Sequence, residues 1–204
     1  MNQPRAFVIA STDPCSQHYT ISQRNLAQTL SRAELHGWEL SVWPATDGHT
    51  VTDLDWQAIG VRLLDRGAII HRPGAQGCWF SHWRLWQQCI DLDQPIIILE
   101  HDAYITAAWP QDLDLDQCVW KLHLDDGRGL RENNITGEWS CGSYSYTMTP
   151  RFAHDLMVFS RLYGAQAVDK QLGRLVIPWQ YWREDLAPHK PISRKSSTSP
   201  KKMP

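Results

Sequence analysis

Hydrophobic and polar positions along the chain predict strands that alternate with helices. Residues 5–10 form a short apolar run closed by polar residues and a proline, and residues 38–45 alternate apolar and polar positions, so both segments predict strands. Between them, residues 23–37 carry apolar positions at helical spacing. Ser22 is the predicted N-cap of this helix, and Gly37 its predicted end.

The strongest helical pattern lies in residues 73–93, directly before the most apolar strand. Trp79, Trp83 and Trp86 recur at spacings of four and three residues, which predicts a stripe packed against the core, with at least two of the three rings buried. Residues 96–99 are a continuous run of Ile and Leu, typical of a strand buried on both faces.

The remaining segments continue the alternation. Thr149 and Pro150 resemble an N-cap followed by proline at the first helical position, and they predict a helix over 151–164. The other predictions are short helices at 53–67 and 167–175, strands at 118–124, 140–148 and 176–182, and a loop at 125–139. Together they predict an α/β domain with a largely parallel central sheet, in which ligands bind beyond the carboxyl ends of the strands.

Composition places the chain among folded globular proteins, with 42% apolar and 21% charged residues. No segment reaches the roughly 18 apolar residues that a membrane span requires. The apolar run near the N-terminus is too short for a signal peptide. Five cysteines without a C-x-x-C pair favour reduced thiols over a disulfide framework or structural zinc. We therefore expect a cytoplasmic protein.

The net charge of −2 conceals an asymmetry between the body and the C-terminus. Residues 1–189 hold 15 bases against 22 acids, and we expect them to form a single domain that does not bind nucleic acid. Residues 190–204 are rich in Pro, Ser and Lys, so they are predicted to be a disordered basic tail. Such a tail is either inert or in weak contact with an anionic membrane surface.

Candidate chemistry lies at the end of the buried strand, in Glu100, His101 and Asp102. On extended backbone, Glu100 and Asp102 point to the same side and could hold a hard divalent cation that neutralises a diphosphate. His101 would project to the opposite side. The alternative is that these acids simply begin a solvated loop.

Two neighbouring positions on the predicted helix, Ser81 and His82, are unsuited to act as a nucleophile and its base. Adjacent helical side chains point about 100° apart, so the two cannot easily share a proton. We expect His82 to hydrogen-bond the end of the sheet or a donor phosphate. Cys78 is predicted to be a small core residue.

A block of residues around this helix and strand resembles glycosyltransferase family 25, which includes lipopolysaccharide-type and collagen galactosyltransferases. The family shows a G-x-x-G-C-x-x-S-H segment and then a strand ending in L-E-D-D. The matching positions here are Gly74, Gly77, Cys78, Ser81, His82, Trp86 and Leu99–Ala103. Weaker matches are residues 45–48, 144–150 and 167–169. The chain departs from the family at His101, where an acid is usual, and at Ala167, where proline is usual.

The resemblance implies a GT-A-like, Rossmann-like fold and a nucleotide-sugar donor such as a UDP-sugar. It implies Mn²⁺ or Mg²⁺ held by Glu100 and Asp102, with Gly77 and His82 among the donor-binding residues. Asp169 is the candidate for the general base of an inverting reaction or for a further contact with the acceptor. The alternative for Asp169 is an ordinary acid at the surface end of a helix.

The sequence is compatible with two functions and disfavours a third. The first is a metal-dependent glycosyltransferase, for example of lipopolysaccharide biosynthesis, that moves a hexose such as galactose from a nucleotide sugar to a glycan or similar hydroxyl acceptor. The second is a non-catalytic nucleotide-sugar or glycan-binding module derived from such an enzyme. A metal-dependent hydrolase is disfavoured because the sequence has no H-x-H or H-E-x-x-H spacing.

Overall fold

The computed structural model describes residues 3–64, 70–123, 130–140 and 142–188. The strands are β1 Arg5–Ala10, β2 Leu40–Pro44, β3 Ile96–Glu100, β4 Val119–Lys121, β5 Leu130–Asn133, β6 Gly137–Ser140, β7 Ser145–Met148 and β8 Trp179–Tyr181. The helices are α1 Tyr19–Leu35, α2 Asp53–Ile59, α3 Pro73–Leu92, α4 Pro150–Tyr163 and α5 Val168–Gln171.

Six strands form the central sheet in the order β2-β1-β3-β7-β4-β8. The pairs β1–β2, β1–β3 and β4–β8 are parallel, whereas β7 is antiparallel to both of its neighbours. Five of the six strands therefore run in one direction. The predicted fold class, α/β with a largely parallel central sheet, is confirmed.

Strand β3 lies inside the sheet, and its side chains supply both faces of the core. Ile96 and Ile98 join the cluster that contains the α3 tryptophans, while Ile97 and Leu99 join the cluster on the opposite face. This division follows from the two-residue period of a strand. All four side chains are fully buried, as the apolar run predicted.

The tryptophan stripe of α3 packs into the core as predicted. Trp79, Trp83 and Trp86 are all buried, and Trp79 stacks on Trp83 with ring centroids 5.0 Å apart. Trp56 of α2 packs against the Trp79 ring, with ring centroids 4.8 Å apart. The stripe therefore joins α3 to α2 and to the sheet, and it is unavailable as an exposed binding surface.

The ends of the helices agree with the sequence only in part. Thr149 caps α4 as predicted, since its hydroxyl accepts a hydrogen bond from the amide of Phe152. The prediction that Ser22 caps α1 is wrong, because the helix begins three residues earlier at Tyr19. Ser22 is buried, and its hydroxyl accepts a hydrogen bond from the amide of Ser11 at 2.9 Å, so its role is tertiary.

Two further segments differ from the predictions. The stretch predicted as a loop contains a β5–β6 hairpin. Helix α2 ends at Ile59 because Gly60 adopts a left-handed conformation with φ of +70°. The predicted tail 190–204 lies outside the described residues.

No described helix is both long enough and apolar enough to span a membrane.

Candidate functional site

A pocket of about 190 Å³ opens at the carboxyl ends of β1, β2 and β3. Its walls are formed by the segment after β1, the segment after β2, the first turns of α3 and the end of β3. Ligands of open α/β sheets bind at this edge. The pocket is therefore the first place to look for the predicted chemistry.

The structure brings only some of the predicted site residues to the pocket. Gly77, His82 and Glu100 line it, whereas Asp102 and Asp169 are not among its lining residues. The extended geometry expected for Glu100 and Asp102 is wrong, because β3 ends at Glu100 and the chain turns there, with the amide of Ala103 bonded to the Glu100 carbonyl at 3.0 Å.

This turn also corrects the expectation for His101. On extended backbone, its side chain would project away from Glu100. Because the chain has already turned, His101 and Glu100 line the same pocket. The two side chains therefore share one electrostatic environment at the end of β3.

The Glu100 carboxylate lies at the pocket wall and is held by two neighbours. Its Oε1 accepts a hydrogen bond from the Ser143 hydroxyl at 3.1 Å and lies 3.6 Å from Nε2 of His82. Burial alone would raise the pKa of Glu100, but the contacts with His82 and Ser143 and the charge of His101 outweigh it and lower the pKa. Glu100 is therefore ionised at neutral pH.

His82 is fully buried and is tied to the sheet through Tyr146 of β7. Its Nδ1 lies 2.7 Å from the Tyr146 hydroxyl, and the two rings are nearly parallel at 12°. The Trp86 indole also donates to that hydroxyl at 3.0 Å. The hydrogen bond from His82 to the sheet that the sequence led us to expect is present.

Cys78 packs against the core, as predicted, but it also reaches the pocket. It is partly exposed and lines the pocket, because it lies one helical turn before His82 on the same face of α3. Its sulfur, a nitrogen of His82 and an oxygen of Glu100 all lie within 4.8 Å of one another, so the three residues could hold a metal ion. Burial, followed by the charges of Glu100, Asp169 and Asp102, raises the pKa of the Cys78 thiol well above its usual range.

Besides burial, three carboxylates at this end of the sheet raise the pKa of the Cys78 thiol, those of Glu100, Asp169 and Asp102. Asp102 and Asp169 lie within electrostatic range of the Cys78 sulfur although they do not line the pocket. Asp169 is half-buried in the first turn of α5. Burial raises its pKa, the charges of Lys121 and Lys170 counteract that rise, and Glu100 adds to it.

Replacing Asp169 with asparagine should stabilise the protein at neutral pH. An acid whose folded pKa is raised binds more protons in the folded state, so stability falls as the pH rises above its unfolded pKa of about 3.9. At neutral pH the ionised Asp169 lowers the free energy of unfolding by its full amount, and Asp169→Asn removes this loss of stability. We expect a higher melting temperature at pH 7 and a flatter stability profile above pH 4. The exposed Asp116→Asn should change neither, and a lower melting temperature for Asp169→Asn at pH 7 would contradict the assignment.

Two glycines let the segment after β2 approach α3 closely. A Cβ atom on Gly77 would lie 2.4 Å from the Thr46 carbonyl oxygen, and one on Gly48 would lie 1.5 Å from that of Pro73. Ser81 fixes the same contact, since its hydroxyl accepts from the Thr46 amide at 2.8 Å and donates to the Gly77 carbonyl at 2.7 Å. Ser81 is thus bonded away from His82, as predicted.

Gly77→Ala should therefore damage the pocket, and Gly74→Ala should not. The added methyl group at position 77 meets backbone that cannot move aside, and overpacking of this kind costs about 1–3 kcal/mol. A Cβ atom on Gly74 meets nothing within 4 Å, although this glycine also lines the pocket. Chemical denaturation of both variants measures the difference. Equal stability of the two would show that the close approach is not required.

Sequence reasoning missed the polar groups after β1 and β2. Asp13, Asp47 and His49 line the pocket, and the Gln17 amide nitrogen lies 3.0 Å from Nε2 of His49 and 3.2 Å from Nε2 of His18, which links the two segments. The available signal was that polar residues follow directly on each predicted strand. These segments face each other only because β1 and β2 are parallel neighbours.

Comparisons with known proteins agree with this class of fold and site. The model of glycosyltransferase family 25, described as an LPS biosynthesis protein, matches residues 73–126. A glycosyltransferase 25 family member of Aedes aegypti is 27% identical over 154 residues, which cover 69% of this chain and 25% of the relative. Another from Anopheles gambiae is 32% identical over 79 residues, covering 36% and 13% respectively.

Among solved structures, a glycosyltransferase involved in the glycosylation of the major capsid of PBCV-1 matches with a TM-score of 0.39 and 10% identity. The match covers 76% of this chain and 66% of that one. The molecule is an α/β protein with a pocket at the carboxyl edge of its sheet. The family model and the two relatives support its assignment to glycosyltransferase family 25. The chain spans only about a quarter of the first curated relative and about an eighth of the second.

Proposed function

We propose that this chain is a nucleotide-sugar-dependent glycosyltransferase that moves a hexose, such as galactose, to a hydroxyl group of a glycan. The observation that carries the proposal is the ionised Glu100 at the wall of a pocket at the carboxyl edge of the sheet. The family 25 matches cover this same region, since residues 73–126 include α3 and β3. Lipopolysaccharide is one acceptor consistent with the family description.

The donor would bind with its nucleoside toward the segments after β1 and β2 and its diphosphate toward the end of β3. Polar side chains of the first two segments can hydrogen-bond a base and ribose, while Gly77 keeps the backbone of α3 close to them. Glu100 would lie toward the diphosphate, with His82 behind it, and Asp102 would approach the same ion from outside the pocket lining. UDP-sugars are the donors to test first.

The negative charge at the end of β3 suits a divalent cation. The negative charges of Glu100, Asp102 and Asp169 act together on Cys78, and negatively charged carboxylates repel a diphosphate. Carboxylate oxygens are the ligands that Mn²⁺ and Mg²⁺ prefer. Glu100 and Asp102 would hold the ion, which when bound neutralises the leaving nucleoside diphosphate.

Asp169 is proposed as the general base of an inverting transfer. Its raised pKa brings it closer to neutral pH than an ordinary aspartate, which favours proton transfer from an acceptor hydroxyl. Its position outside the donor pocket is compatible with an acceptor that approaches from another side. Asp169→Asn should therefore lower turnover while leaving donor affinity unchanged.

We also propose that residues 1–189 form one domain and that the basic segment 190–204 is a tail capable of weak contact with anionic membrane surfaces. The described cysteines are all free, which is compatible with a cytoplasmic location. The sheet, whose last strand ends at Tyr181, supports the domain assignment. Removing 190–204 should leave donor binding intact.

The proposed function is tested by a melting-temperature screen of nucleotide sugars with and without Mn²⁺. A ligand present at one hundred times its dissociation constant stabilises the folded state by about 2.7 kcal/mol. We expect a UDP-sugar to raise the melting temperature in a Mn²⁺-dependent manner. If no nucleotide sugar does so under either condition, the donor pocket assignment is wrong.

A further inference from the structure

Three fully buried side chains form a chain of contacts that ends at Glu100. The Trp86 indole nitrogen donates to the Tyr146 hydroxyl at 3.0 Å, and that hydroxyl lies 2.7 Å from Nδ1 of His82. On the other side of the imidazole ring, Nε2 lies 3.6 Å from the Glu100 carboxylate. Trp86, Tyr146 and His82 are all 0% exposed, so water does not compete for these contacts.

The direction of these hydrogen bonds follows from counting donors. An indole nitrogen can only donate, so the Tyr146 oxygen accepts from Trp86. The hydroxyl hydrogen of Tyr146 then needs an acceptor, and across 3–64, 70–123, 130–140 and 142–188 the only one in reach is Nδ1 of His82. A proton on Nδ1 would leave the buried hydroxyl hydrogen without an acceptor and turn the Nε2 lone pair toward the Glu100 carboxylate, which costs free energy. A proton on Nε2 has no hydrogen-bond partner in the described part of the chain but faces the negative charge of that carboxylate at 3.6 Å.

We propose that Trp86 and Tyr146 are positioning residues that fix His82 with its proton on Nε2, directed at Glu100, so that a metal at His82 must displace that proton and the site favours a hard cation over zinc. The preference for a hard cation rests on the proposed function. The position of the His82 proton does not depend on that function.

The cluster of Cys78, His82 and Glu100 would otherwise suit zinc. Three ligand atoms within 4.8 Å of one another, with a pocket on the open side, resemble the three-ligand arrangement of catalytic zinc sites. A histidine can ligate only through an unprotonated nitrogen. Tyr146 occupies the lone pair of Nδ1, and the proton occupies Nε2, so a metal at Nε2 must displace that proton and leave the Tyr146 hydroxyl hydrogen without an acceptor.

The Cys78 sulfur is the other soft donor of this cluster. Without His82, the cluster offers only the Cys78 sulfur and the Glu100 oxygens, two residues where a catalytic zinc site uses three. At 3.6 Å, the His82 contact orients the carboxylate electrostatically and is longer than a usual N–H···O bond of about 2.7–3.2 Å.

The proton position can be measured directly by ¹⁵N NMR of the histidine rings in the protein without donor or metal. We expect the His82 signals of a neutral ring protonated on Nε2, with Nδ1 unprotonated. His154, whose side chain is 67% exposed, provides an internal reference for a solvated imidazole. A His82 ring protonated on Nδ1 overturns the proposal.

Tyr146→Phe tests the positioning role. It removes the hydroxyl that holds Nδ1, so the His82 proton should distribute between both nitrogens. Affinity for Zn²⁺, measured by calorimetry without donor, should rise by about tenfold or more, and affinity for Mn²⁺ should not rise. Tyr144→Phe is the matched control, because the Tyr144 ring packs on His123 instead, at 4.2 Å, and it should leave His82 and zinc affinity unchanged.

Co²⁺ absorption adds a readout that does not depend on the Tyr146 variant. A sulfur-to-cobalt charge-transfer band in the wild-type protein that disappears in Cys78→Ser but persists in Cys15→Ser would show that the soft cluster binds metal, and would overturn the proposal. Absence of that band supports it, even if Tyr146→Phe fails to fold. Because these measurements contain no sugar, a protein that shows the expected His82 proton but no transferase activity refutes the proposed function alone.

Discussion

Replacing Trp79 with alanine should lower the free energy of unfolding by about 3–5 kcal/mol. The Trp79 ring is 0% exposed and contacts Trp56, Trp83 and Phe80, with ring centroids 4.8, 5.0 and 5.5 Å away. Its removal leaves a cavity that these large rings cannot collapse to fill. Urea denaturation measures the loss.

Trp43→Ala is the matched control for that measurement. Trp43 is only partly buried, on the edge strand β2, and its described ring partner is Phe7 at 5.7 Å. Its replacement should cost clearly less than that of Trp79. If the two variants lose the same stability, α3 does not supply the centre of the core as described.

Glu100→Gln should weaken Mn²⁺-dependent binding of a nucleotide sugar by about 10²–10³-fold. The substitution preserves the shape of the side chain and an acceptor for the Ser143 hydroxyl, but it removes the charge proposed to hold the cation. Titration calorimetry with donor and Mn²⁺ measures the effect. Glu138→Gln is the control, because that acid pairs with Arg174 at 2.6 Å on β6 and does not line the pocket.

Asp102→Asn separates the two proposed ligands. If Asp102 shares the cation with Glu100, its asparagine variant should also lose Mn²⁺-dependent binding while retaining the fold. Binding equal to the parent in Asp102→Asn, together with loss in Glu100→Gln, would remove Asp102 from the site and leave Glu100 in it. Parent-like binding in both variants would contradict the proposed metal site.

The sequence predicts those parts of the fold whose signal is local and strong. The apolar run of β3 and the tryptophan spacing of α3 each reflect burial, and burial is what produces such patterns. The β5–β6 hairpin has no comparable pattern, since Leu130 is 48% exposed and charged residues follow it. Ser22 was misassigned because its hydroxyl bonds to Ser11, a partner distant along the chain.

The sequence predicted several residues of the candidate site but not how their side chains are arranged. The sequence identified Glu100 and His82, yet their contact depends on how α3 packs against β3, which no local pattern encodes. The turn after Glu100 carries no glycine or proline at positions 101 and 102 to reveal it. The Tyr146 contact likewise depends on β7 pairing beside β3.

Catalysis of transfer by this pocket is measured most directly as the release of nucleoside diphosphate from a nucleotide sugar with Mn²⁺ and a glycan acceptor. We expect acceptor-dependent release by the wild-type chain and a large loss in Glu100→Gln. A wild-type chain that binds the donor but releases no nucleoside diphosphate with any acceptor would contradict the claim and favour a non-catalytic sugar-nucleotide-binding module.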